Sequence, residues 1–114
     1  MNNELFFLKH TDTIETAISK ILLNKSRTIF ILQKKKVIGC LSEGDILRAL
    51  LLKKNLKSPA INIMNKSFKF ATVEDLKNEA KIIKIFKKNK IHLLPITNKY
   101  GNFIKMLNFY ELFE

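Results

Sequence analysis

Ser42 and Asp45 stand three residues apart, just where one sequence pattern gives way to another. The run Lys36-Val37-Ile38-Gly39-Cys40-Leu41 is apolar and β-branched, and Ile46, Leu47, Ala49 and Leu50 after it recur at helical spacing. The pattern predicts a strand, a tight turn and a helix. Ser42 then caps the helix, and Asp45 sits where its carboxylate reaches back to a free backbone N–H. One consequence is purely structural, a capping box. The other is chemical. A helix start offers unpaired N–H groups and a partial positive charge to phosphate, and a neighbouring Asp accepts hydrogen bonds from a ribose diol. Those are the partners a nucleotide needs, although the same spacing opens many helices that bind nothing.

Other chemistry finds little support. His10 and His92 have no nucleophile placed beside them and read as surface or packing histidines, so no catalytic residue is assigned and the chain is not expected to be an enzyme. There is no glycine-rich phosphate loop and no carboxylate cluster arranged for a metal. The single Cys40 excludes an internal disulfide, lacks a second thiol or a close histidine for zinc, and reads as a buried structural thiol.

A chain of 114 residues with 46% hydrophobic content suffices for one compact domain, or for two small repeats sharing a core. Only three Gly and two Pro argue against disorder. The start, Met1-Asn2-Asn3-Glu4-Leu5-Phe6-Phe7, lacks a basic region and a cleavage pattern, and no apolar stretch approaches the roughly 18 residues of a membrane span. A cytoplasmic protein without a membrane partner is expected. The formal charge of +11, carried almost wholly by lysine, would attract phosphates, acidic partners, nucleic acid or anionic lipid. Richness in Lys, Asn and Ile also accompanies a genome poor in G and C, so the charge does not choose among them. No solvent-exposed aromatic is identifiable and the Phe residues mostly fall on apolar faces, which argues against a nucleic-acid surface.

The elements that position Ser42 and Asp45 follow from spacing. Asp12 and Glu15 are placed as a capping box, and Ile14, Ala17, Ile18, Ile21 and Leu22 give a helix with one apolar face, ending near Asn24. Thr28–Leu32 reads as a buried strand, Gln33–Lys36 as a hairpin turn, Val37–Leu41 as its partner, and Asp45–Leu52 as a helix. Lys57-Ser58-Pro59 is the expected linker, with nothing β-like before the first helix. Thr72 and Asp75 suggest a helix start, with Leu76, Ala80, Ile83 and Phe86 on one face. Lys77, Lys81, Lys84 and Lys88 lie on another face, read as solvated. Ile91–Thr97 and Asn102–Leu107 read as paired strands, and Asn108 opens a short final helix. Helix, strand, turn, strand, helix thus occurs twice, with Leu5–Leu52 matching Ile61–Phe113. One copy cannot cover both faces of its sheet, so the two should pack together.

The run Val37–Leu47 resembles the signature of the cystathionine β-synthase (CBS) domain family: two apolar residues, Gly, two apolar residues, Ser or Thr, two variable residues, Asp, then an apolar pair. Leu94-Pro95-Ile96 resembles the family's Leu-Pro-Val strand, opposite Ile29-Phe30-Ile31 in the first copy, and Ile61–Lys66 resembles the apolar, Met, polar stretch that begins a copy. The resemblance implies an α/β (α+β) fold of tandem CBS repeats, at residues 1–56 and 57–114. Each would be helix-strand-strand-helix with a small sheet, the pair packing about a pseudo-two-fold axis. It also implies an adenosine ligand such as AMP, ADP, ATP or S-adenosylmethionine in an inter-repeat cleft, with no cofactor required.

By the same resemblance, Asp45 would hold the ribose hydroxyls and Ser42 would face phosphate or ribose. Gly39 and Leu41 would shape the wall, Ile29 and Phe30 would border the base, and Thr11 and Thr13, which read equally as helix caps, are weaker candidates. In the second copy Asn108, Glu111, Leu94 and Pro95 would line a poorer cleft, with Lys105 in the place of Gly39, so at most one nucleotide per chain is expected. The resemblance further implies a homodimer, with Leu50-Leu51-Leu52 and Leu112-Phe113 as surfaces for it. A covalently linked catalytic domain is implied too, since the chain looks like the regulatory CBS pair ahead of bacterial sugar-phosphate nucleotidyltransferases. The alternatives are a ligand-free oligomerisation module and, on charge alone, a basic nucleic-acid-binding module.

Overall fold

The computed structural model describes residues 3–113, without the side chains of residues 3 and 113. The backbone divides into two compact units, residues 1–68 and 69–114.

The first unit opens with a 3-10 turn, Asn3–Phe6, and a short strand β1 (Phe7–Lys9), followed by helix α1 (Ile14–Asn24). Ile14, Ala17 and Ile21 bury the face that their spacing predicts. The cap is one of the two that the sequence offered, and the Asp12 and Glu15 capping box does not form. Thr13, not Asp12, stands at the N-cap, its hydroxyl accepting from the Thr16 amide at 3.2 Å. Asp12 instead accepts from the Lys9 amide at 2.8 Å, closing the turn between β1 and α1, and Glu15 pairs with Lys57 at 2.7 Å. Strands β2 (Thr28–Gln33) and β3 (Lys36–Ser42) form the hairpin, and α2 (Glu43–Leu51) follows without a gap. The sheet order is β1-β2-β3, parallel then antiparallel. Leu8, Ala17, Ile21, Ile29, Ile31, Leu41, Ile46 and Ala60 make the core between sheet and helices.

The stretch expected to link two repeats is tied back into the first unit. Carbonyls of Ser58 and Leu56 accept from the Ile14 and Glu15 amides, each at 3.0 Å, so they satisfy first-turn donors of α1 that have no partner within the helix. Ala60 donates to Asp12 at 2.8 Å. Further on, Asn65 exchanges two backbone hydrogen bonds with Cys40, at 2.9 and 2.8 Å, along the outer edge of β3. Ile61 and Met64 therefore belong to the first unit rather than opening a second copy.

The second unit has β4 (Ala71–Thr72), a 3-10 turn over Glu74–Lys77, α3 (Glu79–Asn89), β5 (Leu93–Thr97), β6 (Phe103–Asn108) and a closing 3-10 turn, Phe109–Phe113. The Thr72 and Asp75 pair does form reciprocal bonds, at 2.9 and 3.4 Å, but they close the 3-10 turn. Asn78 caps α3 by accepting from Lys81 at 3.1 Å. The buried face of α3 is Ile82 and Phe86, while Ala80 is exposed. Ala71, Ile82, Phe86, Leu94 and Ile96 form its core.

The duplication shows in register as well as in order. Ile31 pairs with Gly39 and Ile29 with Leu41; Ile96 pairs with Lys105 and Leu94 with Leu107. Each hairpin breaks register one step later, at Ile31/Leu32 and Ile96/Thr97. These pairings set Lys105 opposite Gly39 in the repeat, as the sequence alignment has it. Each sheet also carries a short parallel edge strand, β1 or β4, that the sequence reading lacked.

Candidate functional site

At the mouth of α2 the chain makes the expected capping box. The Ser42 hydroxyl accepts from the Asp45 amide at 3.1 Å, and Asp45 Oδ2 accepts from the Ser42 amide at 2.8 Å and the Ser42 hydroxyl at 3.0 Å. Asp45 Oδ1 takes the Arg48 guanidinium at 2.5 Å. Both carboxylate oxygens are thus engaged, but unequally. The Asp45 side chain is 14% exposed and that of Arg48 is 69% exposed, so the Oδ2 side is locked in the cap whereas the Oδ1 partner is a solvent-facing side chain. Arg48 is a residue of this site that cap spacing alone does not single out. Its three-residue offset from Asp45 was the available signal.

The other residues expected around Ser42 fall elsewhere. Ile29 and Leu41 are fully buried in the core of the first unit, and Phe30 is buried with its ring edge-to-face on Phe68, centroids 6.4 Å apart. Gly39 is closed off by the chain itself. A Cβ there would lie 2.6 Å from Met64 Sδ and 3.2 Å from the Asn65 carbonyl oxygen. The close approach that requires glycine is thus made by the Met64–Asn65 segment. Thr11 lies in the exposed turn ahead of α1. Cys40 is half-buried; burial first, and then the Asp45 carboxylate, push its thiol from 9.0 up to about 11.

In the second unit Leu94 and Pro95 are buried along β5. Asn108 ends β6 and accepts from the Tyr110 amide at 3.0 Å, which starts a 3-10 turn instead of an α-helix. Glu111 is exposed there, and no described residue pairs with it. The equivalents of Ser42 and Asp45 are therefore not assembled into a second capping box. Among the described residues no three His, Cys, Asp or Glu side chains converge, and no helix is long and apolar enough to cross a membrane.

Twin three-stranded sheets, each with a parallel edge strand, a hairpin and a helix against one face, define an α+β class built by duplication. The family model of the CBS domain matches residues 1–52. Solved structures carry the likeness across nearly the whole chain. The CBS domain protein of Pyrobaculum aerophilum, complexed with AMP, aligns at TM-score 0.73 and 23% identity over 96% of this chain and 88% of that one. The CBS domains of a transcriptional regulator from Streptococcus pneumoniae align at TM-score 0.78 and 15% identity, over 97% and 89%. The cytosolic domain of the magnesium channel MgtE in complex with ATP aligns at TM-score 0.72 and 12% identity over 94% of this chain, which spans 43% of it. No curated protein matches the sequence. The family match thus lies within the first unit, and the shared fold extends to both.

Proposed function

We propose that the chain is a regulatory CBS pair whose first unit binds one adenine nucleotide, of the AMP, ADP or ATP kind, at the mouth of α2. The observation that carries this reading is the split carboxylate of Asp45. Oδ2 is fixed by Ser42, which aims the group, and Oδ1 is held only by the exposed Arg48. A ribose diol would take Oδ1, and the displaced guanidinium would turn to a phosphate, for which its planar fork is suited. The bound AMP of the Pyrobaculum aerophilum protein and the ATP of the MgtE domain support the choice of ligand class. The missing second box supports one nucleotide per chain.

Binding would favour one conformation of the pair, and a linked domain, such as a sugar-phosphate nucleotidyltransferase, would read it out through contacts that differ between conformations. The test is a thermal-shift series with AMP, ADP, ATP, GDP and S-adenosylmethionine, since a ligand that binds only the folded state raises the melting temperature. Adenine nucleotides should raise it for the wild type and not for Asp45→Asn, which keeps an acceptor for the cap. An equal rise in the variant, or none in the wild type, removes the sensor.

A second reading, a ligand-free module that serves self-association, is favoured by a different observation. Leu22, Leu23, Leu47, Leu50, Leu51 and Leu52 are all exposed on α1, α2 and just beyond. A second copy of the chain is the proposed occupant of that face. Of the two surfaces that the sequence suggested, Leu50-Leu51-Leu52 is exposed, Leu112 packs against the core of the second unit, and the Phe113 side chain lies outside the described residues.

A further inference from the structure

The exposed crown of α3 is almost entirely basic. Lys81, Lys84, Lys87 and Lys88 occupy it, and Lys90 follows at the C-cap in a left-handed conformation, φ 53°. Hollows open on two flanks of the helix. One, about 380 Å³, is lined by Lys69, Lys81, Lys84, Ile85, Lys88 and Asn89. Lys81 is committed there to Asp75, at 2.6 Å, and holds the Asp75 carboxyl below its ordinary 3.8. Lys69, Lys84 and Lys88 have no partner among the described residues and face solvent as three uncompensated cations.

The other hollow, about 200 Å³, has Lys87 and Lys90 at its rim and a floor of rings, Phe86, His92, Phe109 and Tyr110. The His92 and Tyr110 rings lie 5.2 Å apart between centroids, tilted by 55°, with the Tyr110 hydroxyl 3.5 Å from His92 Nε2, and Phe109 meets Tyr110 edge-on at 5.8 Å. Tyr110 is 62% exposed, so one ring of this cluster is open to a further stacking partner. The sequence pattern identifies no exposed aromatic, and the fold supplies one in Tyr110.

We infer that α3 and the closing 3-10 turn of the second unit form a binding surface for single-stranded nucleic acid. The backbone would cross the lysine crown of α3, with phosphates at Lys69, Lys84 and Lys88, and a base would stack on Tyr110 beside His92. Cations that track a phosphate chain, with an open ring beside them, are what a single strand needs and a duplex cannot use, because duplex bases are already stacked. Free mononucleotide would not span the two flanks. The surface is separate in sequence from Ser42, Asp45 and Arg48, so it stands or falls apart from the adenine-nucleotide reading.

The chain has no Trp and two Tyr, which makes Tyr110 its own reporter once Tyr100 is replaced by Phe. In Tyr100→Phe, titration with a mixed-sequence single-stranded 12-mer should quench tyrosine emission and raise the anisotropy of a labelled strand together. Tyr110→Ala should weaken binding about ten-fold and Tyr110→Phe should restore it, in line with the stacking contribution of one base. Lys84→Gln with Lys88→Gln should reduce the slope of log K against log salt by about 1.4, two phosphates' worth for a single strand. Lys34→Gln with Lys35→Gln, the same charge removed from the first unit, should leave binding unchanged. Equal weakening by both lysine pairs, equal affinity for duplex, or full affinity in Tyr110→Ala overturns the surface and leaves bulk charge alone.

Discussion

Two neighbours decide what the Cys40 thiol does. Burial disfavours the thiolate and the Asp45 carboxylate adds to the effect, which lifts the thiol from 9.0 to about 11. Because the folded value exceeds the unfolded one, this contribution to stability is whole below pH 9.0 and is lost as pH rises toward 11, where unfolded chains ionise and folded ones do not. The urea midpoint should therefore fall more steeply with pH across that window in the wild type than in Cys40→Ala. Alkylation by iodoacetamide at pH 8 should likewise be slower by about a hundred-fold in the folded chain than in urea, because the thiolate is the nucleophile. At this scale the sequence was informative about Ser42 and Asp45, whose spacing is local. It marked Gly39 by its place in the signature but not by its cause, since the need for a missing side chain comes from Met64, a neighbour only in the fold.

Among the elements, the turns hold the least relaxed backbone. Lys25, Arg27, Lys34, Lys35, Lys53 and Lys90 are left-handed, where glycine or asparagine would be at ease. The two-residue hairpin loop joining β2 to β3 uses two of them, Lys34 at φ 52° and Lys35 at φ 68°, in the conformation that favours Asn-Gly. Lys34→Asn with Lys35→Gly should raise the urea midpoint at unchanged m, a gain of about 1 kcal/mol in stability. Helices with long apolar stripes and both hairpins were legible. Strands β1 and β4, of three and two residues, were not, because so short a run shows no period. The start of α3 was misplaced for another reason: Thr72 and Asp75 have cap chemistry but use it on a 3-10 turn, and Asn78 caps the helix.

At the level of the whole chain, the two copies have diverged where they face water. Counting back from the left-handed Lys25 and Lys90 that end α1 and α3, Leu22-Leu23 in the first copy stands where Lys87-Lys88 stands in the second. A homodimer would therefore use the first copy's helices, with the same patch on both partners as two-fold symmetry demands. Sedimentation velocity should show a dimer for the wild type and a monomer for Leu47→Glu with Leu51→Glu, both at exposed positions where the fold tolerates charge. The duplication was readable because hydrophobic pattern, turn and register repeat together. Its boundary was not. Pro59 punctuates the chain as expected, yet the backbone around it bonds back to α1.

That return path bears on how the protein can be taken apart. Asn65 lies along β3 as a one-residue fourth strand, and it shields a sheet margin that would otherwise offer bare N–H and C=O groups to any passing chain. A fragment ending at the proline would lose this selvage together with the methionine that fills the notch over Gly39. Its most exposed edge would then be the strand leading directly into Ser42, so the smallest honest half of this molecule runs on through Phe68.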